Sequence, residues 1–311
     1  MVLRSRGQAD LIVIGAGMAG LTAAHHAARC GLAVSLCEAT PLYGGQIVNV
    51  EAIDGYPSVG EMPGIALAID LLEKCRALGV SIIETEIAAL SVDDGLHLST
   101  TDGAAHTAQA VIVASGARLK ALDIPGEAEL VGRGVSQCAS CDGPMFQGDD
   151  VAVIGGGDAA AQEALILAGF CSKVTLICRS PMRAKRDYVD RLTDCANVEF
   201  LWDSAAEEIV GTQGVDGISV RNTKDGSVSI FPCKGVFPFI GATPNSEFLP
   251  DSVQRQDGYV TTDAAYRTTV AGVFAAGAVR QGYGGHVAEA VGEGVSAATA
   301  AVSFLRGAQR A

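Results

Sequence analysis

No stretch of this sequence is long and apolar enough to span a membrane. Met1 to Asp10 carries two arginines but lacks the extended apolar core of a secretory signal. The expectation is a cytoplasmic protein with no membrane partner. Positive charge is also scarce: 22 Lys and Arg stand against 35 Asp and Glu, a formal net charge of −13. Such a surface repels phosphate backbones, which excludes nucleic acid as a partner class. A regular cysteine framework is missing too. The nine cysteines, at 30, 37, 75, 138, 141, 171, 178, 195 and 233, are odd in number and irregular in spacing. Cys30, Cys37, Cys171 and Cys233 lie in or beside apolar runs and read as small buried hydrophobes, which suits a reducing compartment. No second CxxC exists to complete a zinc site with Cys138 and Cys141, and the nearest histidines in sequence are His106 and His286, so no metal is expected. Short-period repeats are absent, and 49% hydrophobic content with 18% charge excludes a disordered chain.

What is present is length for two cored domains, 311 residues, and glycine for many tight turns, 38 residues. Leu11 to Ile14 reads as a short buried strand. Gly15, Gly17 and Gly20 form the following turn, Leu21 to Cys30 an alanine-rich helix, and Leu32 to Cys37 a second strand closed by Glu38. A bare GxGxxG is weak evidence. With strand, helix, strand and terminal acid around it, it is a βαβ unit whose helix start faces a pyrophosphate and whose acid grips a ribose. Ile65 to Leu78 reads as a helix, after loops at Pro41 to Gly45, Tyr56-Pro57 and Pro63-Gly64. Ser81 to Thr107 reads as a small antiparallel excursion, Ala110 to Ala114 as another buried strand, and Pro125-Gly126 as a break near a domain boundary.

A second βαβ unit follows. Its strand is Val151 to Ile154, its turn Gly155-Gly156-Gly157, its helix Asp158 to Ala168 and its next strand Val174 to Cys178. No acid closes that strand. Arg179 does, with Arg183, Lys185 and Arg186 beyond it. Arginines there accommodate a 2′-phosphate, which favours NADPH, with NADH as the alternative; a solvated helix start is the plain reading of the same charges. Asn197 to Ile230 reads as strand-rich, Val236 to Ile240 as a strand, Gly241 to Asn245 as a loop, Val273 to Gly277 as a last strand and turn, and His286 to Leu305 as a helix. Between the two glycine turns stands Cys138-Ala139-Ser140-Cys141-Asp142. A lone CxxC is equally half a metal site or two unrelated cysteines, but beside a nucleotide unit it points to a reversible disulfide.

These residues carry a resemblance. The sequence resembles the low-molecular-weight thioredoxin reductase family of flavoproteins over nearly its whole length. The matching segments are Gly15 to Gly20, Gly44-Gly45-Gln46, Gly134-Val135-Ser136 leading into Cys138 to Asp142, Gly155 to Ala160, Gly241 with Pro244-Asn245, and Gly272 to Gly277. The resemblance implies an α/β fold of two Rossmann-like dinucleotide-binding domains of the three-layer ββα type, the second inserted in the first. It implies an FAD-binding domain from 1–117 and 246–311, and an NAD(P)H-binding domain from 118–245 that carries the CxxC. FAD would rest on Gly15, Gly17, Gly20, Glu38, Gly45, Gln46, Gly277, His286 and Val287, and the nicotinamide cofactor on Gly155, Gly157, Arg179 and Arg183. A homodimer and a domain rotation are implied as well. Cys141 would face the flavin, Cys138 would attack the substrate disulfide, and Asp142 would carry the proton. A carboxylate raises a neighbouring thiol's pKa, so Asp142 suits a proton shuttle better than an activator.

The chain departs from the family pattern at three places. Ala278 stands where an aspartate is usual, Gly285-His286-Val287 where Arg-Gln-Ala is usual, and Cys178-Arg179-Ser180 where His-Arg-Arg is usual. The leading expectation is an NAD(P)H-dependent flavin disulfide reductase acting on thioredoxin or a small disulfide. The rivals are an FAD- and oxygen-dependent oxidase of a small dithiol, and a non-enzymatic regulatory flavoprotein.

Overall fold

The computed structural model describes residues 9–53, 56 and 62–308. The residues before Ala9, read above for a targeting signal, and Pro57 of the Tyr56-Pro57 loop lie outside the described residues. The chain forms two compact units. One draws on the residues up to Arg118 and from Pro244 onward, and the other spans Leu119–Thr243.

The first unit runs β1 (Ala9–Ile14), α1 (Met18–Arg29), β2 (Val34–Glu38), α2 (Gly64–Ala77), β3 (Ser81–Glu84), β4 (Ile87–Ser91), β5 (Leu96–Thr100) and β6 (Ala105–Val113). After the second unit it adds a strand, Val273–Ala275, and a helix, Val287–Ala308. Every residue of β1 is buried, because parallel neighbours β2 and β6 flank it and both sheet faces are covered. A strand in that place has no solvent face and therefore no polar alternation. Among the described residues the sheet order is β3-β2-β1-β6-β5-β4, with Val273–Ala275 on β6.

The structure differs from the sequence reading in two ways here. Ser81–Glu84 is parallel to β2 and extends the nucleotide-type sheet, so the antiparallel excursion begins only at β4. The segments ending at Thr107 and starting at Ala110 are one strand, β6. Its first half alternates in exposure, while Val111, Ile112 and Val113 are buried between β1 and Val273–Ala275. The change of pattern inside one strand is a change of neighbours, not an end.

One face of this sheet packs α1, α2 and the C-terminal helix through Leu21, Ala24, Leu72, Ala297 and Ala301. The other packs β-rich segments through Ile87, Leu98, Leu249 and Val260. The C-terminal helix approaches α1 closely: a Cβ on Gly294 would run into the Ala19 carbonyl oxygen. That is the physical use of its small residues.

The second unit runs β7 (Asp150–Ile154), α3 (Asp158–Ala168), β8 (Lys173–Ile177), α4 (Arg186–Asp194), β9 (Val198–Leu201), β10 (Ser204–Gly211), β11 (Val215–Asn222), β12 (Val228–Pro232) and β13 (Gly235–Pro238). Its parallel sheet has the order β9-β8-β7-β13, and β10-β11-β12 form a separate antiparallel sheet. Helices α3 and α4 cover one face of the parallel sheet, and the antiparallel sheet covers the other. Both units are thus helix, parallel sheet and β layer. Ala242–Pro244 is a short strand where a loop was expected. Among the described residues no helix is long and apolar enough to cross a membrane.

Candidate functional site

The first glycine turn joins β1 to α1. Gly15 has φ +98°, and a Cβ there would strike the Ala114 carbonyl, so both conformation and space demand glycine. Gly17 is the N-cap of α1 and offers no side-chain cap, which leaves the helix's first N–H groups turned to the turn. The helix begins at Met18, three residues earlier than the sequence suggested. Gly20 therefore lies inside its first turn, where a Cβ would meet the Gly15 carbonyl. Glu38 ends β2, and its carboxylate accepts the Ala16 N–H at 2.7 Å and the Thr40 N–H at 3.2 Å. Gly44 donates its N–H to the Ala16 carbonyl at 2.8 Å, which brings Gly45 against Gly17. Gln46 is exposed, with Nε2 donating to the Ala117 carbonyl at 3.4 Å.

The C-terminal part reaches the same turn. A Cβ on Gly277 would lie 2.8 Å from the Ala19 Cβ. The Gly277 N–H donates to Glu293 Oε2 at 2.7 Å, and Glu293, only 2% exposed, also accepts from Arg280 Nε at 3.0 Å and from Arg280 Nη2. Ala278 follows, partly buried and without a polar side chain. His286 and Val287 stand at the start of the C-terminal helix. Their end of the segment is tied by Tyr283, whose hydroxyl donates to the His286 carbonyl at 2.9 Å, rather than by the glycine turn. Burial, then the charges of Glu289 and Glu293, push the Tyr283 hydroxyl up to about 12.

An uncapped helix start, a wall that only glycine can form and a carboxylate at the strand end fit a dinucleotide. Its pyrophosphate would meet the α1 N-terminus and its ribose Glu38. Gly15, Gly17, Gly20, Glu38, Gly45 and Gly277 converge on that turn. Gln46 and His286 make their bonds elsewhere, and Val287 packs against the cluster that holds Ala16, Met18 and Ala19.

The second turn repeats the geometry with one change. Gly155 has φ +141°, its Cβ direction is closed by the Phe239 carbonyl, and Gly157 is an N-cap without a side-chain cap. Gly15 donates to the Cys37 carbonyl at 2.8 Å, and Gly155 to the Ile177 carbonyl at 3.1 Å. The residue after each acceptor occupies the same place, Glu38 in the first unit and Cys178 in the second. Ile14 pairs with Cys37 and Ile154 with Ile177, so by register Cys178, not Arg179, holds the position that Glu38 has in the first unit. Cys178 is buried, its Sγ donates to the Gly155 carbonyl at 3.2 Å, and burial raises its thiol to about 11. Arg179 and Arg183 are exposed, and the Arg183 N–H donates to the Gly156 carbonyl at 2.7 Å, so its segment lies against the turn. Asp158, whose charge would repel a phosphate, accepts the Lys185 N–H at 2.8 Å and pairs with its ammonium at 3.8 Å.

Cys138 and Cys141 are joined in a disulfide with Cα atoms 5.3 Å apart. Cys138 is the N-cap of a one-turn helix, Ala139–Asp142, and its Sγ accepts the Cys141 N–H at 3.2 Å. Asp142 Oδ2 accepts from Ser136 Oγ at 2.5 Å, and the same hydroxyl oxygen accepts the Cys138 N–H at 3.1 Å. The Ala139 N–H donates to Glu163 Oε2 on α3 at 2.6 Å. Glu163, Glu293 and Arg280 escaped the sequence reading, and Ser136 entered it only as part of the segment leading into the CxxC. The available signal for the two glutamates was an acid at an interior position of an alanine-rich helix.

The seven cysteines outside the disulfide are free. Cys37, Cys75, Cys171, Cys178 and Cys233 are buried, while Cys30 and Cys195 are partly exposed. Burial raises Cys37, Cys75, Cys171 and Cys178 to about 11, and Cys233 to about 12. At pH 8 such a thiol is about 0.1% thiolate or less. We expect Ellman's reagent at that pH to titrate only Cys30 and Cys195 in the native oxidised protein, and two further thiols after mild reduction. Rapid reaction of four or more thiols before reduction would contradict this. Among the described residues no group of three or more His, Cys, Asp or Glu is placed to hold a metal ion.

A family model described as Pyridine nucleotide-disulphide oxidoreductase matches residues 9–294. The thioredoxin reductase of Treponema pallidum is 37% identical over 298 residues, 95% of this chain and 97% of that protein. The thioredoxin reductase of Lactococcus lactis, solved in its FR conformation, superposes with a TM-score of 0.93 at 34% identity, over 96% of this chain and 100% of the other. The thioredoxin reductase of T. acidophilum gives 0.89 at 31% identity, over 95% and 98%.

Proposed function

The chain belongs to the thioredoxin-reductase-like pyridine nucleotide-disulphide oxidoreductases, and from that premise we propose that it moves electrons from NADPH, through FAD, to the Cys138–Cys141 disulfide and on to a disulfide substrate. Family membership carries the flavin-dependent disulfide chemistry. The Cys138–Cys141 bond on a unit with its own nucleotide turn is the observation that carries the route. FAD belongs to the first glycine turn with Gly277, and the nicotinamide dinucleotide to Gly155, Gly157, Arg179 and Arg183. The substrate is thioredoxin or a small-molecule disulfide, the working form is a homodimer, and the setting is the cytoplasm.

Bound FAD supplies the two-electron relay between a reduced nicotinamide and the disulfide. The rest falls to this chain's residues. Reduction adds two electrons and two protons to the pair, breaks its Sγ–Sγ bond and leaves two thiols. The Cys141 N–H aimed at Cys138 Sγ favours a thiolate on Cys138. That thiolate attacks one sulfur of the substrate disulfide and forms a mixed disulfide. The other substrate sulfur leaves as a thiolate and takes up a proton. Cys141 then attacks Cys138 Sγ, re-forms the internal disulfide and releases the second substrate thiol. Asp142, held by Ser136, is the carboxyl that gives and takes the proton beside the pair.

Arg179 and Arg183 set the nucleotide preference. A guanidinium–phosphate contact is worth on the order of 1.5–3 kcal/mol. Cys178 presents no carboxylate to an unphosphorylated ribose. In an anaerobic titration NADPH should bleach the flavin band near about 450 nm, and NADH should do so only at higher concentration. Arg179→Ala should narrow the difference by about tenfold, through weaker NADPH binding. If neither nucleotide bleaches the flavin while a small dithiol does, the protein is a dithiol oxidase that discharges to oxygen. Preference for NADH would remove Arg179 and Arg183 from the phosphate site.

A further inference from the structure

The helix that begins at the second glycine turn does more than face a nucleotide. Glu163 stands on α3 six residues beyond its N-cap Gly157, about 9 Å along the axis at 1.5 Å per residue. From there its Oε2 accepts the N–H of Ala139, the first residue after Cys138, at 2.6 Å. Ala139 is fully buried and packs in one cluster with Ala160, Ala161, Ala164 and Leu167 of α3, so the one-turn CxxC helix rests on the nucleotide helix. The bond therefore spans two elements whose spacing the core fixes.

A free helix start stabilises a neighbouring thiolate through its N–H groups. Here the Ala139 N–H is taken by a full negative charge, while the Cys141 N–H at 3.2 Å and the Ser140 hydroxyl at 3.5 Å lie against Cys138 Sγ. We propose that Glu163 is a positioning residue of the dithiol, an acid on the nucleotide helix that fixes the CxxC turn and keeps the reduced cysteines protonated until substrate arrives. The second carboxylate of the segment, Asp142, is held by Ser136 and acts in the same direction. The negative charge disfavours the thiolate, so the reduced pair returns to the disulfide more readily and gives up its electrons to substrate more readily. The inference deepens the disulfide-oxidoreductase reading and rests on Cys138 and Cys141 being its redox pair.

Glu163→Gln keeps an acceptor oxygen for the Ala139 N–H and removes the charge, whereas Glu163→Ala removes both. The full-length flavoprotein is reduced with dithiothreitol under argon and desalted. Alkylation of Cys138 and Cys141 by iodoacetamide is then followed by peptide mass from about pH 5 to pH 10, a range that brackets thiol ionisation. The alkylation midpoint in Glu163→Gln should fall by about half to one pH unit relative to the wild type. In glutathione buffers at about pH 9.5, above the thiol midpoint, its equilibrium constant for reduction should rise by about three- to tenfold, the factor the midpoint shift dictates. A purely structural role would leave the Gln variant's midpoint in place. An unchanged midpoint with a reducible pair overturns the inference and leaves the oxidoreductase reading standing. A wild-type pair that dithiothreitol cannot reduce overturns both.

Discussion

Cys141→Ser should lose turnover of a disulfide substrate by about a thousandfold or more, while reduction of the flavin by the nicotinamide dinucleotide stays within about twofold. The two halves of the expectation come from different parts of the chain. The proposed nucleotide and flavin sites are the two glycine turns, and Cys141 is part of neither turn. Transfer to substrate needs both sulfurs of the pair. Without Cys141 the remaining thiol, Cys138, keeps its N-cap place and its attack on substrate. The mixed disulfide cannot then resolve, so one substrate thiol should be released per protein chain, followed by arrest. Cys138→Ser should lose the same turnover without that single release, because the attacking sulfur itself is gone. Stopped-flow absorbance at the flavin band, paired with thiol release and intact-protein mass, reads all three outcomes. Sustained turnover by Cys141→Ser would remove the pair from the reaction.

Glu293→Ala should lower the free energy of unfolding by about 3–5 kcal/mol, the range for leaving one member of a buried ion pair alone. Glu293 is 2% exposed and carries the Arg280 guanidinium, which its hydrogen bond holds above the ordinary arginine pKa. It also carries the Gly277 N–H at 2.7 Å. Removing it orphans the Gly277 N–H and leaves Arg280 with the lesser, more distant charge of Glu289. Arg280 keeps its bond to the Gln281 carbonyl at 2.8 Å and its place 5.1 Å over the Tyr266 ring, neither of which supplies a counter-charge. Replacing both partners by apolar residues of similar volume, Arg280→Met with Glu293→Leu, should recover most of the loss, because nothing charged then remains buried. The Gly277 N–H would still be orphaned. The double variant should therefore fold well yet release flavin more readily than the wild type. Denaturant unfolding followed by circular dichroism gives the first quantity, and flavin retained on gel filtration gives the second. A Glu293→Ala protein as stable as the wild type would show that solvent reaches Arg280.

The glycine turns show where local chemistry suffices. Gly15 and Gly155 each follow an apolar run that can only be a buried strand, and each needs a backbone conformation and a clearance that glycine alone provides. Such constraints act within a few residues, so strand, turn, helix and acid are legible in order. The CxxC is legible for the same reason, since its ring closes over three residues. Cys178 was harder. Whether it or Arg179 is the counterpart of Glu38 depends on the register of β8 against β7, which only pairing between strands sets. Continuity of β6 was hidden because half of it borrows its burial from Val273–Ala275, far along the chain.

By itself the amino-acid sequence determined the two dinucleotide turns, the redox pair beside the second and the flavin disulfide chemistry they imply, because turn geometry and disulfide closure are short-range demands on residue type. Only the tertiary structure decided that Glu163 holds Ala139 across 24 residues and that Glu293 holds Gly277 across 16. An acid inside an alanine-rich helix leaves no periodic trace of its partner, since hydrogen bonds between elements depend on where packing brings the elements together.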